Sequence, residues 1–343
     1  MYKQCFVPPS NSLDLSKSYT KDIPNLSSFR NPSVVLDDND IRTLETWKLP
    51  LGLKYLSMKY NKVSADGLLD QTLPSLEILN INSNRVYVLD ESMIETMPAL
   101  RALSATNTHL QTIHCLQTSS IQILIVDQNN IATLNGLPST LKVLSAQDSK
   151  ISLIQSRLPD TLEYAYLADN LLRYAGLPLR WGNQLKELDL SNNELEKFPR
   201  NLPDSLELLN LHFNKIVELP SKLPTSLRNL NLSHNRLRTV SSYKRNYSVP
   251  PIQIVTLTHN QLTDAFEQSP DWAVIFQTDM NWNTPNHIVA QTMICRAFKR
   301  FLLRKRVRNF ARIGKIYSEL LRISLHPDRI CQSNSFSEEW KCL

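Results

Sequence analysis

Glycine is scarce in this chain: six among 343 residues, with no two placed to form a phosphate-cradling loop. That excludes nucleotide binding of the glycine-rich-loop type. Cysteine is equally thin. Cys5, Cys115, Cys295, Cys331 and Cys342 are scattered and odd in number, a usage that argues against a disulfide framework and for a reducing, intracellular and cytoplasmic setting. No apolar run approaches the length of a spanning helix, and the opening MYKQCFVPPSNSLDLSKS lacks the basic-then-apolar order of a leader. The expectation is a soluble, unsecreted protein. No nucleophile stands beside a base, and the acidic residues form no tuned pair. A non-enzymatic protein without cofactor follows.

What is present is a repeat. From Leu185 to Leu237 the segments LKELDLSNNEL, LELLNLHFNKI and LRNLNLSHNRL follow one another at 21-residue spacing. Apolar residues occupy relative positions 1, 4, 6 and 11 and asparagine position 9, as in Leu206, Leu209, Leu211, Ile216 and Asn214. Positions 4 and 6 have the period of a strand. So short a strand cannot bury its face alone, so the unit must stack on copies of itself. A solenoid with a parallel sheet on its concave side is the predicted architecture.

The same template fits eleven times, with first positions Asn31, Leu53, Leu76, Leu100, Ile121, Leu141, Leu162, Leu185, Leu206, Leu227 and Ile252. Position 9 is asparagine in nine coils, with Thr108 and Ser149 in the other two. A side-chain amide there can satisfy backbone groups that leave the ladder, so stacked coils should form an asparagine ladder. Leu-Pro pairs at 137, 158, 202 and 223 precede the next coil by three residues, which predicts an extended convex side. Longer units such as DESMIETMPA, residues 90–99, leave room for a turn of helix.

The unit LPxxLxxLxLxxNxLxxLP, clearest from Leu202 to Leu223, resembles the short leucine-rich repeats of bacterial effector proteins and of leucine-rich repeat proteins of giant DNA viruses. The resemblance covers residues 31–262 and implies the leucine-rich-repeat fold, with host cytoplasm as the setting if the origin is viral or effector-like. Some such effectors append a ubiquitin ligase with a catalytic cysteine. The residues after Leu262 are too few for that domain, and neither Cys295 nor Cys331 has its Cys-x-Asp context.

The predicted organisation is a lead-in and cap at 1–30, repeats at 31–262, a C-terminal cap at 263–285, a basic helical segment at 286–325 and a tail at 326–343. Positions 3, 5, 7 and 8 of each coil are expected to face solvent from the concave sheet. They make a polar to acidic surface carrying aromatics, suited to a protein partner. Tyr55, Tyr60, Asp127, Asp148, Tyr164, Tyr166, Asp189, His212, Phe213 and His234 are the candidate contacts. His234 and His259 share a column, but no third ligand accompanies them, so no metal is expected.

The formal charge of +6 is local. Nine positive charges and no negative ones fall between Arg296 and Lys315, which leaves −3 for the remainder. Ile294, Phe298, Phe301 and Leu302 lie at helical spacing among Arg296, Lys299, Arg300, Arg304, Lys305 and Arg308, the pattern of a basic amphipathic helix. Residues 294–315 thus offer an alternative function: binding a calmodulin-like protein, an anionic membrane surface or nucleic acid. Ile294, Arg304 and Val307 resemble a degenerate IQ motif. His326-Pro327-Asp328 echoes the loop of a J-domain without its following helix.

Overall fold

The computed structural model describes residues 2–43, 48–50, 52–64, 72–89, 91–155, 157–238, 254–261 and 275–277. The chain divides into two units, Met1–Trp282 and Asn283–Leu343. The basic segment, the HPD tripeptide and the tail lie outside the described residues.

A parallel sheet of thirteen strands runs through the first unit in chain order. Eleven of its strands occupy relative positions 3 to 5 of the eleven expected coils, from Ser33–Val35 through Glu187–Asp189 to Ile254–Thr256. Register is constant: Leu188 pairs with Leu209 and Leu209 with Leu230, so position 4 stacks on position 4. The sheet also continues past those coils, through Leu13–Asp14 at one edge and Ile275–Gln277 at the other.

The core is the stacked apolar set. Leu206, Leu209, Leu211 and Ile216 have no exposed surface, and each such side chain contributes about 1.5 to 3 kcal/mol by burial. The prolines act as turn builders. Pro138, Pro159, Pro203 and Pro224 each accept, through their carbonyl oxygens, the N–H of the first residue of the next coil. Residues 91–96 form the single α-helix among the described residues, and short 3-10 turns occur at His114–Thr118 and Tyr174–Gly176. Gly176 marks a close approach of coils, where a Cβ would collide with the Ser152 carbonyl oxygen.

The asparagine ladder is present. Asn214 donates through Nδ2 to Leu190 in the preceding coil and to Leu211 in its own, while Oδ1 accepts from the Leu195 N–H. Of the two departures, Thr108 donates its hydroxyl to Ala105, and the Ser149 hydroxyl accepts from the Asn129 N–H.

Position 8 was not legible as special. In all eleven coils it takes a positive φ, from 48° to 56°, in Asp38, Tyr60, Ser83, Asn107, Gln128, Asp148, Asp169, Asn192, Phe213, His234 and His259. Left-handed backbone favours glycine, and asparagine or aspartate tolerate it. No glycine is used at any of these positions.

Candidate functional site

The predicted face resolves into two zones. From Tyr164 onward, positions 3 and 5 of the strands are half-buried and open to solvent. Before it, the strands Ser33–Val35, Tyr55–Ser57, Ala102–Ser104 and Val143–Ser145 are buried throughout. The expectation that these positions face solvent is therefore corrected for the N-terminal half.

For Tyr55 and Ala102 the cause is the N-terminal segment. The 3-10 turn Tyr2–Phe6 lies on the sheet face, where Phe6 packs with Ala102 and Ile125, and Cys5, Ile78 and Ile123 surround them. Tyr55 lies beneath it, 3% exposed, and its hydroxyl donates to the Phe6 carbonyl at 2.8 Å. Burial pushes the Tyr55 phenol up to about 12. Tyr55 is thus an anchor for the chain's own N-terminus, not a free contact.

Internal bonding also consumes part of the acidic character. Asp37, Asn82 and Asp127, at position 7, each accept a serine hydroxyl and a backbone N–H of the next coil, at 2.6 to 2.9 Å. Asp127 is 9% exposed and bound to Ser145 and Gln147 in this way. Asp189 turns on its own coil, accepting the Ser191 hydroxyl and N–H. These aspartates are structural ties first, a role that a column count of charges conceals.

The candidates group accordingly. Asp127 and Asp148 line a groove of about 800 Å³ with Lys3, Phe6 and Asp169. Tyr60 is exposed at its own left-handed position. Tyr166 donates its hydroxyl to Glu187 at 2.9 Å, and Tyr164 lies half-buried in the same strand.

The third group is a ring column. Phe213, 49% exposed, stacks on His234 at 4.1 Å, and His234 stacks on His259 at 4.0 Å. His212 sets its edge against both Phe213 and His234. Strand spacing of about 4.8 Å brings successive position-8 side chains into ring contact, and the shared left-handed backbone points them alike. Sequence reading placed His259 in the column but not among the contacts. It missed Phe6 and Lys3, for which an aromatic ahead of Pro8-Pro9 was the available signal. Among the described residues, no group of three histidine, cysteine, aspartate or glutamate side chains could hold a metal. No described helix is long and apolar enough to cross a membrane.

His212 adds a pH dependence. Partial burial lowers its pKa, against opposing effects of Ser233 and Asp189, and its Nδ1 lies 2.6 Å from the Ser233 hydroxyl. A folded-state value below the unfolded one means stability present above about pH 6.5 and lost as pH falls through the lowered value. Urea midpoints measured on either side of pH 6 should fall on acidification in the native chain and less in His212→Asn; equal slopes would refute the assignment.

With that geometry established, the comparisons agree. The Leucine Rich Repeat family model matches residues 184–204, the unit that contains strand Glu187–Asp189. The chain has the leucine-rich-repeat fold. Bovine opticin (Bos taurus) is 28% identical to it over 170 residues, 49% of this chain and 47% of opticin. The repeat protein thus spans about half or less of the curated relatives it matches. YopM from Yersinia pestis, a leucine-rich effector protein, aligns with a TM-score of 0.55 and 24% identity over 75% of this chain and 67% of that one. The octameric complex of Latrophilin 3, Unc5D and the FLRT2 repeat domain contains a chain aligning at 0.58 and 17% identity, over 79% and 90%. Both likenesses are to the fold.

Proposed function

We propose that this repeat protein is a non-enzymatic scaffold that binds a protein partner through the open part of its sheet face, from Tyr164 to His259. The observation that carries this is the ring column Phe213–His234–His259, with Phe213 and His259 exposed, on a sheet whose strands also present half-buried Tyr164 and Tyr166. Rigid rings in a polar surround supply large contact area at small entropic cost. A similarly folded repeat domain, that of FLRT2, is seen in a multi-protein complex, which agrees with this use. The scattered cysteines support an intracellular setting as part of the proposal. Binding through residues 294–315 lies outside the described residues, and no structural observation favours it.

The test is affinity capture from lysate by the full chain and by two variants. Tyr164→Ala/Tyr166→Ala should lose the captured protein, while Tyr87→Ala, a 50% exposed tyrosine off the sheet face, should retain it. Retention by both variants would overturn the reading.

A further inference from the structure

Residues 2–6 are not needed to close the solenoid. End capping is done further along, where Leu13–Asp14 pairs with Val34 and Val35 and where Leu13, Leu15, Ile23 and Leu26 join the core. The turn Tyr2–Phe6 lies several strands inward instead, on a patch of the sheet face made by Ile78, Ala102, Ile123 and Ile125. Ile78, Ala102 and Ile123 stand at position 3, the column that further along carries Tyr164, Glu187, Leu208 and Asn229. Phe6 and Cys5 pack on the patch, and the Tyr55 hydroxyl donates to the Phe6 carbonyl. Beside it the groove of about 800 Å³ is edged by Asp127, Asp148 and Asp169, with Lys3 along its wall. The other lysine there, Lys59, is paired with Asp37 at 3.0 Å. Asp148 and Asp169 are exposed.

Resting on the reading of this face as a protein-recognition surface, we infer that the apolar patch, with the groove beside it, is a peptide site and that the N-terminal turn is the built-in occupant of the patch. The partner segment that fits has an aromatic residue with a basic residue three positions before it, as Lys3 stands to Phe6. The aromatic fills the Ala102 and Ile125 patch. The basic group answers the aspartate edge. Tethering raises the local concentration of the turn to the millimolar range, so a weak contact stays docked and an outside peptide binds only to the fraction of molecules in which it is lifted.

The probe is a fluorescent peptide of residues 1–9 carrying Cys5→Ser, titrated by anisotropy into the full chain. Phe6→Ala in the protein should raise peptide affinity by roughly tenfold or more over the native chain, by removing the internal competitor. Tyr55→Phe, which deletes only the hydroxyl, should act in the same direction with the fold undisturbed. In the Phe6→Ala background, Asp148→Lys/Asp169→Lys should abolish the gain, and a Lys3→Glu peptide should bind weakly. Equal affinity of native and Phe6→Ala proteins, no binding to a Phe6→Ala protein of native circular dichroism, or equal binding of the Lys3→Glu peptide would each overturn the inference. Peptide binding to the released groove without capture at Tyr164 and Tyr166 removes only the preceding proposal. The reverse pattern removes only this one.

Discussion

Asn193→Ala is expected to lower the unfolding free energy by about 3 kcal/mol. The side chain is buried, and it donates to the carbonyls of Leu167, Leu190 and Ser191 at 3.0 to 3.1 Å. Its Oδ1 accepts the Leu172 N–H at 3.0 Å. Truncation strands those groups away from water, at about 1 to 3 kcal/mol for each one left unsatisfied, and relaxation recovers part of the sum. Urea unfolding measures the loss. A change under about 1 kcal/mol, smaller than the cost of one stranded group, would mean that the ladder follows from the fold and does not tie it.

Phe213→Gly separates binding from folding. Partner affinity should fall by roughly tenfold or more, the loss typical of removing a central aromatic anchor. Stability should hold or rise by up to about 1 kcal/mol, because a left-handed non-glycine residue costs roughly 1 to 2 kcal/mol and only an exposed ring stack is given up. Phe213 sits at φ 48°. The control is Phe213→Ala, which loses the ring and keeps the backbone cost, and so should be the less stable of the two by about 1 kcal/mol. Titration of the captured partner together with thermal melts of all three proteins decides it. If Gly and Ala lose stability equally, the backbone is unstrained; if affinity is unchanged, the ring column is not the contact.

How much of this could be read beforehand follows from which interactions repeat. Strands at positions 3 to 5, the buried leucines and the Asn ladder each depend on one coil and its neighbours, and every coil states them again. Ser145 and Asp127 were harder. Their polarity announces solvent, yet each satisfies the other across coils at 2.6 Å, and only the stacking distance makes that visible. The place of Phe6 was illegible for a different reason. Its partners, Ala102 and Ile125, are about a hundred residues away, and no periodicity connects a single aromatic to a distant patch. The left-handed column was hidden by the scarcity of glycine, since the usual marker of that backbone is absent from all eleven positions.

In a stack whose coils touch only their neighbours, order is lost link by link from a free end. The turn Tyr2–Phe6 breaks that rule, because it fastens the strand of Tyr55 to those of Ile78, Ala102 and Ile125 in one stroke. With the turn down, four coils share a tie beyond their nearest neighbours, which should raise their cooperativity. With it lifted, only the neighbour-to-neighbour coupling is left. A ligand that displaces five residues at the start of the chain thereby changes the melting behaviour of the first third of the molecule, with no shift in the strands themselves.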